Sequence, residues 1–279
     1  MTTDDGADLS VIDTGRGRPI VILPAWTNSA SEYHSQIDEF STNHRVIALD
    51  MRGHGLSAKI DRGYTIDRFA LDLKSIIEAF SLTNFTLMGH SMGCSVIWCY
   101  LDMFKPGNVH SLVLVDQAAV QICQPHWSPG ERLSYGCIQT LDELRSFCAA
   151  LAGPDGENIT RSMFAGIFSK GFPRDRIEWI IDEILRMPRI HAAALMLDHA
   201  QRDWRDVIQS IRIPSFVIGA QKSVFPAQSQ VWIGQQIPNS LTVIFEEQEG
   251  GSHFMCFENP AKFNSAVLEF LESASEANE

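Results

Sequence analysis

At 279 residues the chain is long enough to bury a large core, and one α/β domain carrying an insertion is the economical organisation for that length. Hydrophobic residues make up 45% and charged residues 20%, the proportions of an ordinary globular protein with little room for long disorder. A formal charge of -12 without a local basic patch excludes a surface that tracks nucleic-acid phosphates or anionic lipid.

The opening Met1-Thr2-Thr3-Asp4-Asp5 is acidic and is followed by no apolar run, unlike a secretory signal, and no stretch reaches membrane-spanning length. The cysteines (Cys94, Cys99, Cys123, Cys137, Cys148, Cys256) form no CxxC pair and sit in apolar segments, which points to reduced thiols in a cytoplasmic protein and to no metal site. Short β-branched runs then alternate with segments of helical period, the pattern of strand-helix units around a mainly parallel sheet. Strands are expected at Pro19–Leu23 and Arg45–Leu49, the second closing on Asp50 and the turn Arg52-Gly53-His54-Gly55. A helix around Arg68 to Phe80 shows an apolar stripe of Phe69, Leu71, Ile76, Ile77 and Phe80. Asn84–Met88 reads as a central strand, Ser95 to Phe104 as a buried helix leaving it, and His110–Val115 as another buried strand ending at Asp116. Strand signals return only at Pro214–Ile218 and Leu241–Phe245. The chain between these blocks is helical with proline and glycine breakers, so residues 1–118 and 208–279 are expected to form the core and 119–207 an inserted helical cap.

Between the central strand and its helix lies Gly89-His90-Ser91-Met92-Gly93. Glycine two positions either side of a serine permits a strained turn that lifts the hydroxyl above the sheet, and the helix behind it favours negative charge there. Ser91 is therefore the candidate nucleophile.

This turn, together with Asp50-Met51-Arg52-Gly53-His54-Gly55-Leu56-Ser57 upstream and Gly251-Ser252-His253-Phe254 with Glu258-Asn259-Pro260 downstream, resembles the α/β-hydrolase superfamily. The resemblance implies an eight-stranded, mostly parallel sheet with a helical cap over the catalytic edge. It also implies the chain order serine, acid, histidine, with the histidine on a loop after the last strand. His253 occupies such a loop and is the expected base, while His90 and His54 read as structural. In many relatives the acid follows the strand that here ends Val217-Ile218-Gly219, but Lys222 stands at that place, and lysine cannot accept a hydrogen bond from imidazole. A second placement known in the superfamily puts the acid at the end of the strand after the nucleophile turn. Asp116 fills it, with Glu247 and Glu249 as remoter candidates.

For the oxyanion, one main-chain donor is expected from Met92 and the other from the loop after the first strand. Relatives often carry His-Gly there; here the loop reads Pro24-Ala25-Trp26, which puts Trp26 in the donor position. The insertion is rich in large apolar side chains, among them Trp127, Phe164 and Met196, which are expected to line a greasy substrate pocket. The resulting expectation is an esterase or lactonase that uses no cofactor and acts on a small to medium hydrophobic or aromatic substrate. Membrane insertion is not expected, and assembly as a homodimer is compatible with the chain. A cofactor-free dioxygenase or carbon-carbon bond hydrolase of the same fold is the enzymatic alternative; a non-catalytic small-molecule receptor is the other.

Overall fold

A computed structural model describes residues 1–276. Seven strands form a single sheet: β1 (Val11–Gly15), β2 (Pro19–Leu23), β3 (Arg45–Leu49), β4 (Phe85–His90), β5 (Val109–Val115), β6 (Ser215–Ala220) and β7 (Ser240–Phe245). Their order is β1-β3-β2-β4-β5-β6-β7, with β1 antiparallel to β3 and every other pairing parallel. The α/β architecture is the one expected, with seven strands rather than eight. The expected strands are all present, and β1 is an addition that the alternation rule does not reveal. It is an edge strand in which Ile12 and Asp13 face solvent while Val11 and Thr14 are half-buried, so no period of two appears.

β4 is buried along its whole length and β5 is buried except at its first residue, because helices cover both faces of the sheet. Helix Ile66–Ala79 starts two residues before the sequence suggests, since the Thr65 side chain accepts from the Arg68 N–H and caps it. Its buried face carries Phe69, Leu73, Ile76 and Ile77. Helix Met92–Phe104 begins directly at the Ser91 turn. Six helices lie between β5 and β6, from Pro129–Tyr135 to Arg205–Ser210. Among the described residues no helix is long and apolar enough to cross a membrane.

The register of the central strands decides what meets at their carboxyl ends. Leu23 pairs with Gly89, His90 with Val115, and Val115 with Ile218. The segments that begin at Pro24, Ser91, Asp116 and Gln221 therefore emerge side by side at one edge of the sheet, where ligands of open α/β sheets bind.

Candidate active site

Ser91 adopts φ 51° and ψ -120°, a conformation rare for a residue with a side chain. Its N–H donates to Val115 O at 2.7 Å, and Cys94 N–H donates to Ser91 O at 2.8 Å, so both neighbouring elements hold the strained turn. The flanking glycines make the geometry accessible: a Cβ on Gly93 would lie 2.3 Å from Leu23 O, and one on Gly89 would lie 2.7 Å from Cys94 N. Larger residues at either place would push the turn off the sheet.

Asp116 is fully buried at the end of β5, also with a positive φ of 48°, and its N–H donates to Ile218 O at 2.8 Å. His253 Nδ1 lies 2.7 Å from Asp116 Oδ2. A carboxylate can only accept, so the imidazole proton resides on Nδ1 and Nε2 presents a lone pair. Neither Ser91 Oγ nor His253 Nε2 has a hydrogen-bond partner among the described residues, and both residues line one cavity of about 280 Å³. The remoter acid candidates lie elsewhere: Glu249 pairs with Lys262 at 2.5 Å, and Glu247 faces Lys222 at 3.7 Å in solvent.

Ser223 is part of the same cluster and no sequence signal singled it out. Its hydroxyl donates to Asp116 Oδ2 and sits 3.3 Å from His253 Nδ1. The loop that carries it is clipped to the histidine loop by the Lys222 N–H, which donates to Gly251 O at 2.9 Å. Lys222 itself points outward, with 64% of its side chain exposed.

His90 is a second residue whose part in the site becomes visible only in three dimensions. Burial, the largest cause, lowers its pKa to about 3, so its ring is neutral. Its Nε2 lies 2.8 Å from His253 O and must donate to that carbonyl, which leaves Nδ1 to accept from the Tyr33 hydroxyl at 2.7 Å. Tyr33 in turn accepts from the Ala25 N–H at 3.2 Å. One hydrogen-bonded chain thus joins the Trp26 loop, the nucleophile strand and the histidine loop. His54 supports the same loop: its pKa is lowered to about 4, chiefly by burial, and its Nε2 accepts from Thr27 N–H at 3.0 Å.

Among the described residues neither the Trp26 nor the Met92 main-chain N–H has an acceptor. The Trp26 indole is a wall of the cavity, stacked on Phe164 at 6.1 Å, with Nε1 donating to Ala192 O at 3.0 Å. Beyond it, Asn28 also lines the cavity and donates to Glu32, whose pKa burial raises to about 8. Phe164 and Met196 line the cavity, joined by Phe147, Met163, Phe225 and Phe254. Trp127 does not. Its ring packs edge-on against Tyr135 at 5.0 Å and lies under the Arg205 guanidinium at 4.8 Å, so it belongs to the packing at the base of the helical segment. Apolar composition alone could not separate these two environments.

A family model described as the alpha/beta hydrolase fold matches residues 18–260. The chain belongs to this family. A non-heme chloroperoxidase of Burkholderia pyrrocinia is 35% identical to it over 283 residues, covering 98% of this chain and 99% of that protein. A bifunctional esterase/perhydrolase of Acinetobacter calcoaceticus is 30% identical over 281 residues, again covering 98% and 99%. Among solved structures, an esterase from Exiguobacterium antarcticum superposes with a TM-score of 0.87 at 24% identity, covering 98% of this chain and all of that one, which shows the shared fold.

Proposed function

We propose that this α/β hydrolase cleaves small neutral carboxylic esters or lactones through an acyl-enzyme on Ser91. His253 acts as base, Asp116 orients it, and the Trp26 and Met92 N–H groups hold the oxyanion. The observation that carries this reading is the His253–Asp116 hydrogen bond, because it leaves a basic Nε2 in the cavity that also holds the Ser91 hydroxyl. Serine and imidazole come within bonding distance when substrate fills the cavity, as catalytic contacts often tighten only in the complex. His253 takes the hydroxyl proton as Oγ attacks the carbonyl, and returns it to the departing alkoxide. Water, activated by the same nitrogen, then attacks the acyl carbon and frees Ser91. The helical segment 119–207 acts as a cap that keeps bulk water from the acyl group.

The chemistry of the cavity supports a neutral substrate. None of its lining residues is Asp, Glu, Lys or Arg, so a charged group brought inside would lose its hydration unpaired. One relative is named an esterase/perhydrolase, and the same acyl-serine would yield a peracid if hydrogen peroxide replaced water as the second nucleophile.

The test combines short and medium aryl esters, a fluorophosphonate probe and Ser91→Ala. Ester turnover and labelling that both vanish in Ser91→Ala are the expected result. Absence of turnover and of labelling in the native chain would reject the hydrolase in favour of a receptor. Oxygen consumption that persists in Ser91→Ala would instead indicate dioxygenase chemistry.

A further inference from the structure

One part of the otherwise apolar cavity is polar and is built to remain so. Gln121, Gln139 and His199 all line it, and they come from three separate elements. Gln121 follows β5, Gln139 precedes helix Leu141–Leu151, and His199 lies in helix Arg189–Ala200. The two glutamines are fixed to each other through their backbones: the N–H groups of Ile138 and Gln139 donate to Gln121 O at 3.1 and 3.4 Å. Gln121 Nε2 meets His199 Nε2 at 2.9 Å, and the two residues are only 5% and 3% exposed.

This pair is not saturated. His199 Nδ1 and Gln121 Oε1 have no hydrogen-bond partner among the described residues, nor does the side chain of Gln139. Burial, aided by the charge of Arg202, lowers the His199 pKa to about 3, so its ring carries one proton. With the amide nitrogen donating to Nε2, that proton sits on Nδ1, and the pair offers one donor (Nδ1–H) and one acceptor (Oε1). With the amide turned over, Nε2 donates to Oε1, and the pair offers the amide N–H and a bare Nδ1. Either orientation leaves one donor and one acceptor unspent. His199 Nδ1 is closed off by the surrounding protein, so the groups a ligand can complete are the free Gln121 amide atom, whose place His199 fixes, and the Gln139 amide, which offers both a donor and an acceptor; a ligand that pairs them recovers the cost of leaving them unpaired.

We propose that Gln121, Gln139 and His199 form a specificity subsite for a neutral group that both donates and accepts, namely an amide or a hydroxyl carried by the ester substrate away from its scissile carbonyl. The proposal rests on the hydrolase reading and narrows its substrate class: the favoured ester is amphipathic, with its apolar part against Trp26, Phe164 and Phe254. A plain alkyl ester fills the apolar walls and leaves the polar groups unpaired. A carboxylate or ammonium is excluded, because the subsite holds no counter-charge.

The experiment uses a series of acetamido-alkanoate aryl esters of increasing chain length, each paired with the alkyl ester of equal length. The chain as it stands is compared with Gln139→Leu and with Gln121→Leu/His199→Leu, in which both partners of the buried pair become apolar together. The native chain should favour the amide member by about tenfold in kcat/KM at the length that reaches the subsite, chiefly through a lower KM. The double variant should lose that preference, with kcat/KM falling about tenfold more for the amide member than for the alkyl member and circular dichroism checking that it folds. Gln139→Leu, at a less buried position, should reduce the preference in part. Equal kcat/KM for both members at every length, or a preference that survives in both variants, overturns the subsite and leaves the hydrolase standing. Failure to turn over either series, with no label on Ser91, rejects the hydrolase reading and the subsite with it.

Discussion

Two loops at neighbouring strand ends share the work of holding His253, and they do it with different chemistry. The loop after β5 supplies a carboxylate: Asp116 is fully buried, its backbone is strained to φ 48°, and its N–H is tied to Ile218. The loop after β6 supplies only a hydroxyl, from Ser223, beside a lysine that turns to solvent. A carboxylate one strand away can orient the imidazole because β5 and β6 are hydrogen-bonded neighbours, and their loops reach the same ring nitrogen from two sides. What matters to the histidine is an anionic acceptor on its Nδ1 side, and more than one strand end can deliver it.

The largest effect should come from the β5 loop. Asp116→Asn keeps the shape but forces an amide against Nδ1, and ester kcat should fall by roughly 10⁴-fold, as expected when the orienting carboxylate of such a triad is lost. A fall of less than tenfold would show that another group carries the acid role. Next, the comparison can be inverted. Ser223 Oγ already lies 3.3 Å from Nδ1, so Ser223→Asp introduced into Asp116→Asn should recover activity by about tenfold or more, if the two strand ends are interchangeable. No recovery in a folded double variant would mean that the β5 geometry is indispensable. Ser223→Ala alone removes one donor to the carboxylate and should lower kcat several-fold with KM little changed, in line with about 1 kcal/mol for one such hydrogen bond. Lys222→Ala should do least: kcat/KM within about twofold and stability within about 0.5 kcal/mol, because the side chain is exposed and its contact with Glu247 is long.

The sequence showed the part of this site that depends on backbone geometry. Gly89 and Gly93 leave a trace because no other residue fits against Cys94 and Leu23, and the strand runs beside them are apolar because both sheet faces are covered. Asp116 was legible through a negative signal, the lysine at the usual acid position, combined with its place at a strand end. Ser223 left no such trace: a loop serine looks the same whether its hydroxyl meets solvent or a buried carboxylate. His90 could be assigned to packing next to the nucleophile, but its bond to the His253 carbonyl spans 163 residues of chain. β1 escaped notice because an exposed edge strand has no buried face to impose alternation. In the helical segment, apolar composition placed Trp127, Phe164 and Met196 together at the pocket, and only the directions of the helices divide Phe164 and Met196 from Trp127.

The indole bond from Trp26 to Ala192 O has a consequence for anyone who would rebuild this protein. It joins a loop at the end of β2 to a backbone carbonyl 166 residues later, in the helix that also carries Met196 and His199. The helical segment is therefore not a part that can be exchanged freely for one from a relative. A transplanted segment must present a carbonyl at that spot, or the tryptophan will swing and take the neighbouring N–H with it. Chimeras that alter substrate range by swapping this region should be chosen first by whether they keep that single acceptor, and only then by the residues that they bring to the cavity.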